Sequence, residues 1–321
     1  AVRQRKKSAQ KQLDFLVSTI KARVRRAFLE TLVAQKNVVT ARETIQVASE
    51  IVNYARTRLD VGEGNAMELN NALIARARAE NELEEAKTRR ARTRLDLLEL
   101  LSVEPPYDVQ LEGELAMPKM NITNIDRVLT ASMDRRSDLA AAARDVAAAQ
   151  QELRLSKREI IPNLTVFGKF ETEEESEIAG VGFSVPLPVL HQFKGEVGKS
   201  RATLRQRRIE RKSLKVTVHK QVLAALQQYR SARSRTEAVS ETMLQKAKEN
   251  VELLKIALKN GEVGASAITT AQNTLLDVRN DYIEALESLV EAVTKLERAT
   301  GGMIHASFAN GGGTTGTKGD Q

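Results

Sequence analysis

The sequence predicts a mainly α-helical protein built from very long antiparallel coiled-coil hairpins, with one β-hairpin inserted between them. Three observations support this prediction. Aromatic residues make up 3% of the 321 residues and charged residues 29%, while Trp and Cys are absent, which is typical of long helices. Apolar residues recur at intervals of three and four over long stretches. One short segment alternates with a period of two instead.

The predicted helical seams are narrow and rich in alanine. The clearest one begins at Ile268 and ends at Leu296, and two others begin at Val38 and Leu139. Their period of roughly 3.5 residues is typical of coiled coils, in which small residues let neighbouring helices approach closely. The sequence therefore predicts rods of paired helices and no thick aromatic core.

Two glycine-containing breaks divide the long helical stretches into hairpins, because glycine is favoured just beyond a helix end. A shift of 199 residues carries Leu69 onto Ile268 and Ala86 onto Ala285, so the two hairpins are predicted to be copies. The predicted hairpin tips comprise Gly62, Glu63, Gly64 and Asn65 in the first copy and Gly261, Glu262, Val263 and Gly264 in the second.

Between the copies, after Pro162, apolar residues alternate with small or polar ones. Two strands of about 9–11 residues joined by a polar turn suit a transmembrane β-hairpin, whose open edges other subunits must close. The predicted membrane-strand residues are Leu164, Val166, Phe170, Val181, Phe183, Val185 and Leu187. The predicted turn holds Glu171, Glu173, Glu174, Glu175 and Glu177.

Several function classes are disfavoured by the composition. The net charge of +8 suggests nucleic-acid binding, but 42 acidic residues are interleaved with the basic ones and aromatic platforms are scarce. His191, His219 and His305 lie far apart in a chain without Cys, so we predict no enzyme and no catalytic, cofactor-binding or metal-binding residues. A soluble coiled-coil scaffold remains the alternative function, although it would have no use for a β-hairpin.

The middle of the chain carries the most specific motif. Arg136, Ser137, Asp138 and Leu139 open a helix that Pro162 ends, and Gly182, Ser184, Pro186, Leu187 and Pro188 complete the second strand. With the two Gly-Glu breaks, this order resembles the TolC family of outer-membrane efflux proteins over about residues 15–300. The stretch PLPVLHQFKGEV is most similar to the branch that serves heavy-metal pumps.

The resemblance implies a homotrimeric channel, with an α-barrel in the periplasm and a β-barrel in outer-membrane lipid. Such a channel is a passive exit duct for drugs, metals or other small molecules in a tripartite pump. Its tips would face a periplasmic adaptor protein of an inner-membrane efflux transporter. A passive duct of this kind needs no cofactor. Because the family carries a signal peptide, a first β-hairpin and a first helix upstream, the resemblance also implies a longer chain.

The expected domain organisation follows the chain. It has a first helical hairpin (1–101), a connector (102–125), a helix leading to the barrel (126–161), a transmembrane β-hairpin (162–190), a second helical hairpin (191–300) and a flexible tail (301–321).

Overall fold

The computed structural model describes residues 1–104, 111, 115, 124–159, 164–173, 176–185, 194–260 and 262–302. Within these ranges the chain is mainly helical, as predicted, and has one two-stranded antiparallel sheet. The elements are α1 (Val2–Asp60), α2 (Ala66–Leu100), α3 (Ile125–Arg135), α4 (Ser137–Arg158), β1 (Thr165–Glu173), β2 (Ser176–Ser184), α5 (Lys194–Ala238), α6 (Glu241–Lys259) and α7 (Ala265–Ala299).

The helix ends follow the predicted repeat. Helices α1 and α6 end at residues 199 apart, as do α2 and α7, and the latter two also begin 199 residues apart. In the first copy Gly62 has a φ of 78°, a left-handed conformation that ends α1 and that glycine adopts at little cost. The side chain of Asn65 then caps α2 by accepting a hydrogen bond of 2.9 Å from the Glu68 N–H.

The two copies differ in their first arms. Helix α1 runs unbroken through Thr40, whose hydroxyl donates back to the carbonyls of Lys36 and Asn37 inside the helix. The equivalent arm of the second copy is interrupted between α5 and α6, where Ser240 takes an extended conformation with φ −83° and ψ 164°. Serine is well suited to such an N-cap position, whereas the seam pattern continues across the break and gives no sign of it.

The segment 126–161 contains two helices, and the second begins at Ser137, within the motif that was predicted to open a helix. Arg136 is extended, with φ −69° and ψ 115°, and it separates α3 from α4. Its guanidinium binds the carboxylate of Asp138 in the first turn of α4 through two nitrogen atoms, Nε and Nη2. A charge-assisted pair of this kind stabilises the new helix start, since a carboxylate is favoured at a helix N-terminus.

The predicted turn of the β-hairpin was too long. The strands pair from Thr165 opposite Ser184 to Glu173 opposite Ser176, so Glu171, Glu173 and Glu177 belong to strands. Residues 174 and 175 lie outside the described residues. Backbone hydrogen bonds continue the ladder whatever the charge of the side chains, so a run of glutamates is a poor indicator of where strands end.

The chain forms two compact units, whose boundaries fall within α1, α3 and α5. The first contains Ala1–Leu16 and Met133–Lys220, and the second contains Val17–Ser132 and Gln221–Gln321. In the first unit Ser8 is buried and donates to the Ala141 carbonyl, which joins the start of α1 to α4. The domain boundaries expected from the sequence remain a prediction, and most of the expected connector and tail lie outside the described residues.

The core of the second unit consists of aliphatic seams on four helices. Its buried members are Val33, Ile51, Val52 and Ala55 on α1, Ala72 on α2, Leu244, Val251 and Leu258 on α6, and Ile268, Ala271, Leu275, Tyr282, Ile283, Leu286 and Val290 on α7. Helix α7 contributes more buried residues to this core than any of the other three helices, because both sides of its seam are covered. No helix in the described part of the chain is long and apolar enough to cross a membrane.

Candidate functional site

One face of the β-hairpin is apolar and exposed in the single chain. The register places Val166 opposite Phe183, and Phe170 lies four residues further along β1 on the same face. We call this surface the apolar face; its residues are Leu164, Val166, Phe170, Val181, Phe183 and Val185, which are 47–74% exposed. Six large apolar side chains standing together in solvent suit a lipid environment. The seventh predicted residue, Leu187, lies outside the described residues.

The opposite face of the hairpin carries Phe167, which the sequence analysis missed. Phe167 pairs with Gly182 across the strands. A Cβ atom added to Gly182 would lie 2.5 Å from the Phe167 Cζ atom, so the ring occupies the space that glycine leaves. A phenylalanine paired with a strand glycine could have indicated this contact, because aromatic rings often cover such glycines.

We expect Gly182→Ala to weaken the hairpin by about 1 kcal/mol, because the new methyl group forces the Phe167 ring to move. The matched control is Gly180→Ala, since a Cβ there meets no atom within 4 Å. Resistance of the full-length protein to urea extraction from outer-membrane fractions measures the effect. Adding Phe167→Ala to Gly182→Ala should remove the clash, and equal losses in the two glycine variants would contradict this account.

The first hairpin tip is tightly held around its glycines. The Gly64 N–H donates to the Arg58 carbonyl at 2.9 Å, and the Arg58 Nη2 donates to the Glu63 carbonyl at 2.8 Å. A Cβ on Gly64 would lie 3.0 Å from the backbone nitrogen of Leu59, so only glycine fits without a shift of the backbone. The side chain of Glu63 stays exposed, which leaves a negative charge at this tip.

The second tip shows the same backbone pattern. The Glu262 N–H donates to the Ala257 carbonyl at 2.9 Å, as the Glu63 N–H donates to the Arg58 carbonyl at 2.9 Å in the first tip. The Asn260 side chain donates to the Glu262 carboxylate at 3.3 Å. Glu262 is also exposed, Val263 is partly buried, and Gly261 lies outside the described residues. Each tip therefore presents one glutamate at the equivalent position.

A regular set of ion pairs joins α1 to α6. Lys36 pairs with Glu241 at 2.9 Å, Glu43 with Lys248, and Glu50 with Lys255 at 2.5 Å. Each pair spans 205 residues, so the rungs recur every seven residues on both helices. We call these three pairs the charge ladder. Its constant offset shows that α1 and α6 run parallel in a single register.

One of the pairs between α2 and α7 contains an arginine that is almost fully buried. Arg279 is 3% exposed; it contacts Glu82 and donates to the Asn280 side chain at 2.7 Å. Burial lowers the pKa of Arg279, and the negative charge of Glu82 opposes that shift. Its Nε and Nη1 atoms are buried without a hydrogen-bond partner in the described structure. Glu82 is therefore the main compensation for this buried charge.

A polar cleft of about 890 Å³ lies between α1, α2 and α7 in the second unit. Seven carboxylates and three arginines line it, among them Glu30, Arg89, Glu284 and Glu287. Burial raises the pKa of Glu287, the carboxylates of Glu30 and Glu284 add to the rise, and Arg89 at 2.6 Å opposes it. Within the described ranges no three His, Asp or Glu side chains are placed to hold a metal ion.

Comparisons with known proteins agree with these features. The profile of the family described as "Outer membrane efflux protein" matches residues 128–302, more than half of the chain. The chain is also similar to the cobalt-zinc-cadmium resistance protein CzcC of Cupriavidus metallidurans. They share 24% identity over 296 residues, which is 91% of this chain and 70% of the relative.

Solved structures show the same fold. The outer-membrane channel OprN superposes with a TM-score of 0.78 at 16% identity, over 94% of this chain and 70% of that one. The open state of the MtrE outer membrane channel of Neisseria gonorrhoeae gives a TM-score of 0.75 at 18% identity, over 94% of this chain and 72% of that one. The predicted TolC-type fold class is thereby confirmed. The chain belongs to the outer membrane efflux protein family.

Proposed function

We propose that this outer-membrane efflux duct works as a homotrimer within a tripartite pump, passing substrate that an inner-membrane transporter and a periplasmic adaptor deliver. The observation that carries the proposal is the exposed apolar face of a β-hairpin inserted between two copies of a long helical hairpin. A two-stranded sheet leaves open edges, so strands of further copies must close a barrel. Residues 162–190 then lie in outer-membrane lipid, and the helical hairpins lie in the periplasm.

Particle imaging of the full-length protein in detergent tests this proposal. A hollow tube with threefold symmetry is the expected result. The alternative, a soluble coiled-coil scaffold, predicts a solid rod that stays in solution without detergent. Recovery of such a rod from the soluble fraction would overturn the channel proposal.

The tips around Glu63 and Glu262 are proposed to face the adaptor. This assignment is supported by the matching backbone geometry of the two tips, each of which presents one exposed carboxylate. We expect the double variant Glu63→Lys/Glu262→Lys to lower export about tenfold while leaving assembly intact, because two reversed charges oppose a complementary partner surface. Export assays in cells that contain the whole pump, with quantification of the assembled protein, measure both.

The control for the tip variant is Glu99→Lys, which reverses an exposed charge at the opposite end of α2. That substitution should leave export unchanged. Normal export by the tip variant would contradict the assignment of the tips to the adaptor.

Metal cations are the first substrate class to test, since the curated relative is a cobalt-zinc-cadmium resistance protein. Deleting the gene should sensitise its host to cobalt, zinc or cadmium, and the intact gene should restore growth. Unchanged metal tolerance together with lost tolerance to an organic toxicant would assign the duct to small organic molecules instead.

A further inference from the structure

Exposed cations are concentrated at the helix ends that the chain connects to the β-hairpin. Helix α4 ends at Arg158, shortly before β1, and α5 begins at Lys194, after β2 has ended at Ser184. The hydroxyl oxygens of Ser156 and Ser200 lie 2.9 Å apart, so the end of α4 and the start of α5 lie side by side. We call the exposed basic residues of these two helix ends the basic collar; they are Arg154, Lys157, Arg158, Lys194, Lys199 and Arg201.

The positive charge of the basic collar is not neutralised by its own turns. Its six cations are accompanied by two carboxylates, Glu159 and Glu196, so residues 154–159 and 194–201 together carry a net charge of +4. None of the six side chains forms a hydrogen bond or an ion pair with another residue in the described part of the chain. In the second unit, by contrast, each cation of the charge ladder pairs with a carboxylate. Like charges on neighbouring turns repel one another, so the collar favours an anionic partner.

The place of the collar in the chain indicates which anionic partner it meets. In the proposed channel the β-hairpin lies in outer-membrane lipid and the helices lie in the periplasm, so the collar lies at the periplasmic surface of the bilayer. The headgroup layer on each side of a bilayer is about 5–8 Å thick. The collar extends from Lys194 to Arg201 along α5, which is about 10 Å at 1.5 Å per residue. Its long side chains can therefore bring their charges to the level of the headgroups.

We propose that the basic collar binds the phosphate groups of anionic phospholipids in the periplasmic leaflet of the outer membrane. Clusters of about four to eight basic residues beside a membrane-spanning segment attract anionic lipids in this way. The proposal rests on the proposed function, because it requires the hairpin to lie in lipid and the helices to lie in the periplasm. It adds a lipid partner that holds the channel at one depth, with the apolar face in the hydrocarbon layer and the collar at its surface.

Lipid retention by the full-length protein tests the proposal. The protein in detergent is mixed with equal amounts of phosphatidylglycerol, which is anionic, and phosphatidylethanolamine, which has no net charge. After the excess lipid is removed, mass spectrometry quantifies each lipid that remains bound. We expect a preference of about tenfold for phosphatidylglycerol, because several cations act on one headgroup. The preference should largely disappear in 1 M salt, where the screening length falls to about 3 Å.

The test variant removes four charges of the collar. We expect it to lower the preference for phosphatidylglycerol at least about fivefold, since most of the local positive charge is lost. An unchanged preference would overturn the proposal. The four substitutions are Lys157→Gln, Arg158→Gln, Lys194→Gln and Lys199→Gln.

The control variant removes three lysines and one arginine, as the test variant does, from exposed positions further along α5. The first of them, Arg208, lies 14 residues beyond Lys194, which is about 21 Å along the helix and outside the headgroup layer. This variant should keep the preference. Equal losses in the two variants would show that net charge alone attracts the lipid, and would overturn the collar as a site. The substitutions are Arg208→Gln, Lys212→Gln, Lys215→Gln and Lys220→Gln.

Two further measurements distinguish the remaining outcomes. Glycerol 3-phosphate carries the same phosphate chemistry without acyl chains, so it should not displace bound phosphatidylglycerol at equal concentration. Displacement would assign the collar to free phosphate compounds and overturn a lipid site. Electron microscopy of the same sample separates this proposal from the proposed function. A threefold tube without lipid preference leaves the channel standing and removes only the collar, whereas a solid rod removes both.

Discussion

Phe183→Lys is expected to prevent the chain from assembling into the outer membrane. Phe183 stands on the apolar face, 71% exposed and opposite Val166. A lysine on the lipid-facing side of a β-barrel costs about 2–4 kcal/mol at the membrane centre. Because every copy contributes the same strand, an oligomeric barrel would carry this cost once per subunit.

The control is Ser184→Lys, which places the same residue next along β2 on the opposite face. Successive strand residues point to opposite sides, so this lysine is expected in the aqueous interior and should be tolerated. The measurement is the amount of folded protein in outer-membrane fractions relative to total protein. Equal assembly of the two variants would contradict the orientation of the hairpin.

The second large effect is expected at the buried ion pair. Glu82→Gln removes the charge that compensates Arg279, which is 3% exposed. Removing one partner of a buried pair costs about 3–5 kcal/mol, because the other charge is left without compensation. Because Glu82 is partly exposed, we expect the free energy of unfolding to fall by about 3 kcal/mol, near the lower end of that range. The temperature at which the detergent-solubilised protein loses helical circular dichroism should fall clearly.

Glu80→Gln supplies the control, because Glu80 pairs with Arg76 on the surface of the same helix. Exposed pairs one turn apart contribute only about 0.3–0.5 kcal/mol. Replacing both buried partners by leucine should restore most of the stability, since no buried charge remains. Similar losses from Glu82→Gln and Glu80→Gln would show that the contact between α2 and α7 does not depend on the charge of Glu82.

Much of the architecture was accessible from local patterns. The spacing of apolar residues from Ile268 onward, with a period of roughly 3.5 residues, predicted α7. The glycines at the first tip, beginning with Gly62, predicted the end of α1. Alternation around Val181 predicted which side chains share one face of β2. The break at Ser240 was not predicted, because the seam continues through it and a single serine is common inside helices.

The contacts between distant segments were not accessible in the same way. The sequence shows that Glu50 and Lys255 are charged, but their pairing depends on the register of α1 against α6. The contact of Phe167 with Gly182 was missed because it depends on the strand register that places the two residues opposite each other. In the same way, Arg279 has no sequence feature that distinguishes a buried arginine from an exposed one.

The sequence by itself determined that this protein consists of repeated helical hairpins with an inserted β-hairpin, because side-chain periodicity is a local property of the chain. Only the tertiary structure decided which flanks are covered, since burial depends on residues about 200 positions away along the chain. Leu253 on α6 and its repeat counterpart Tyr54 on α1 illustrate the difference. Only the packing shows that Leu253 is 63% exposed whereas Tyr54 is partly buried.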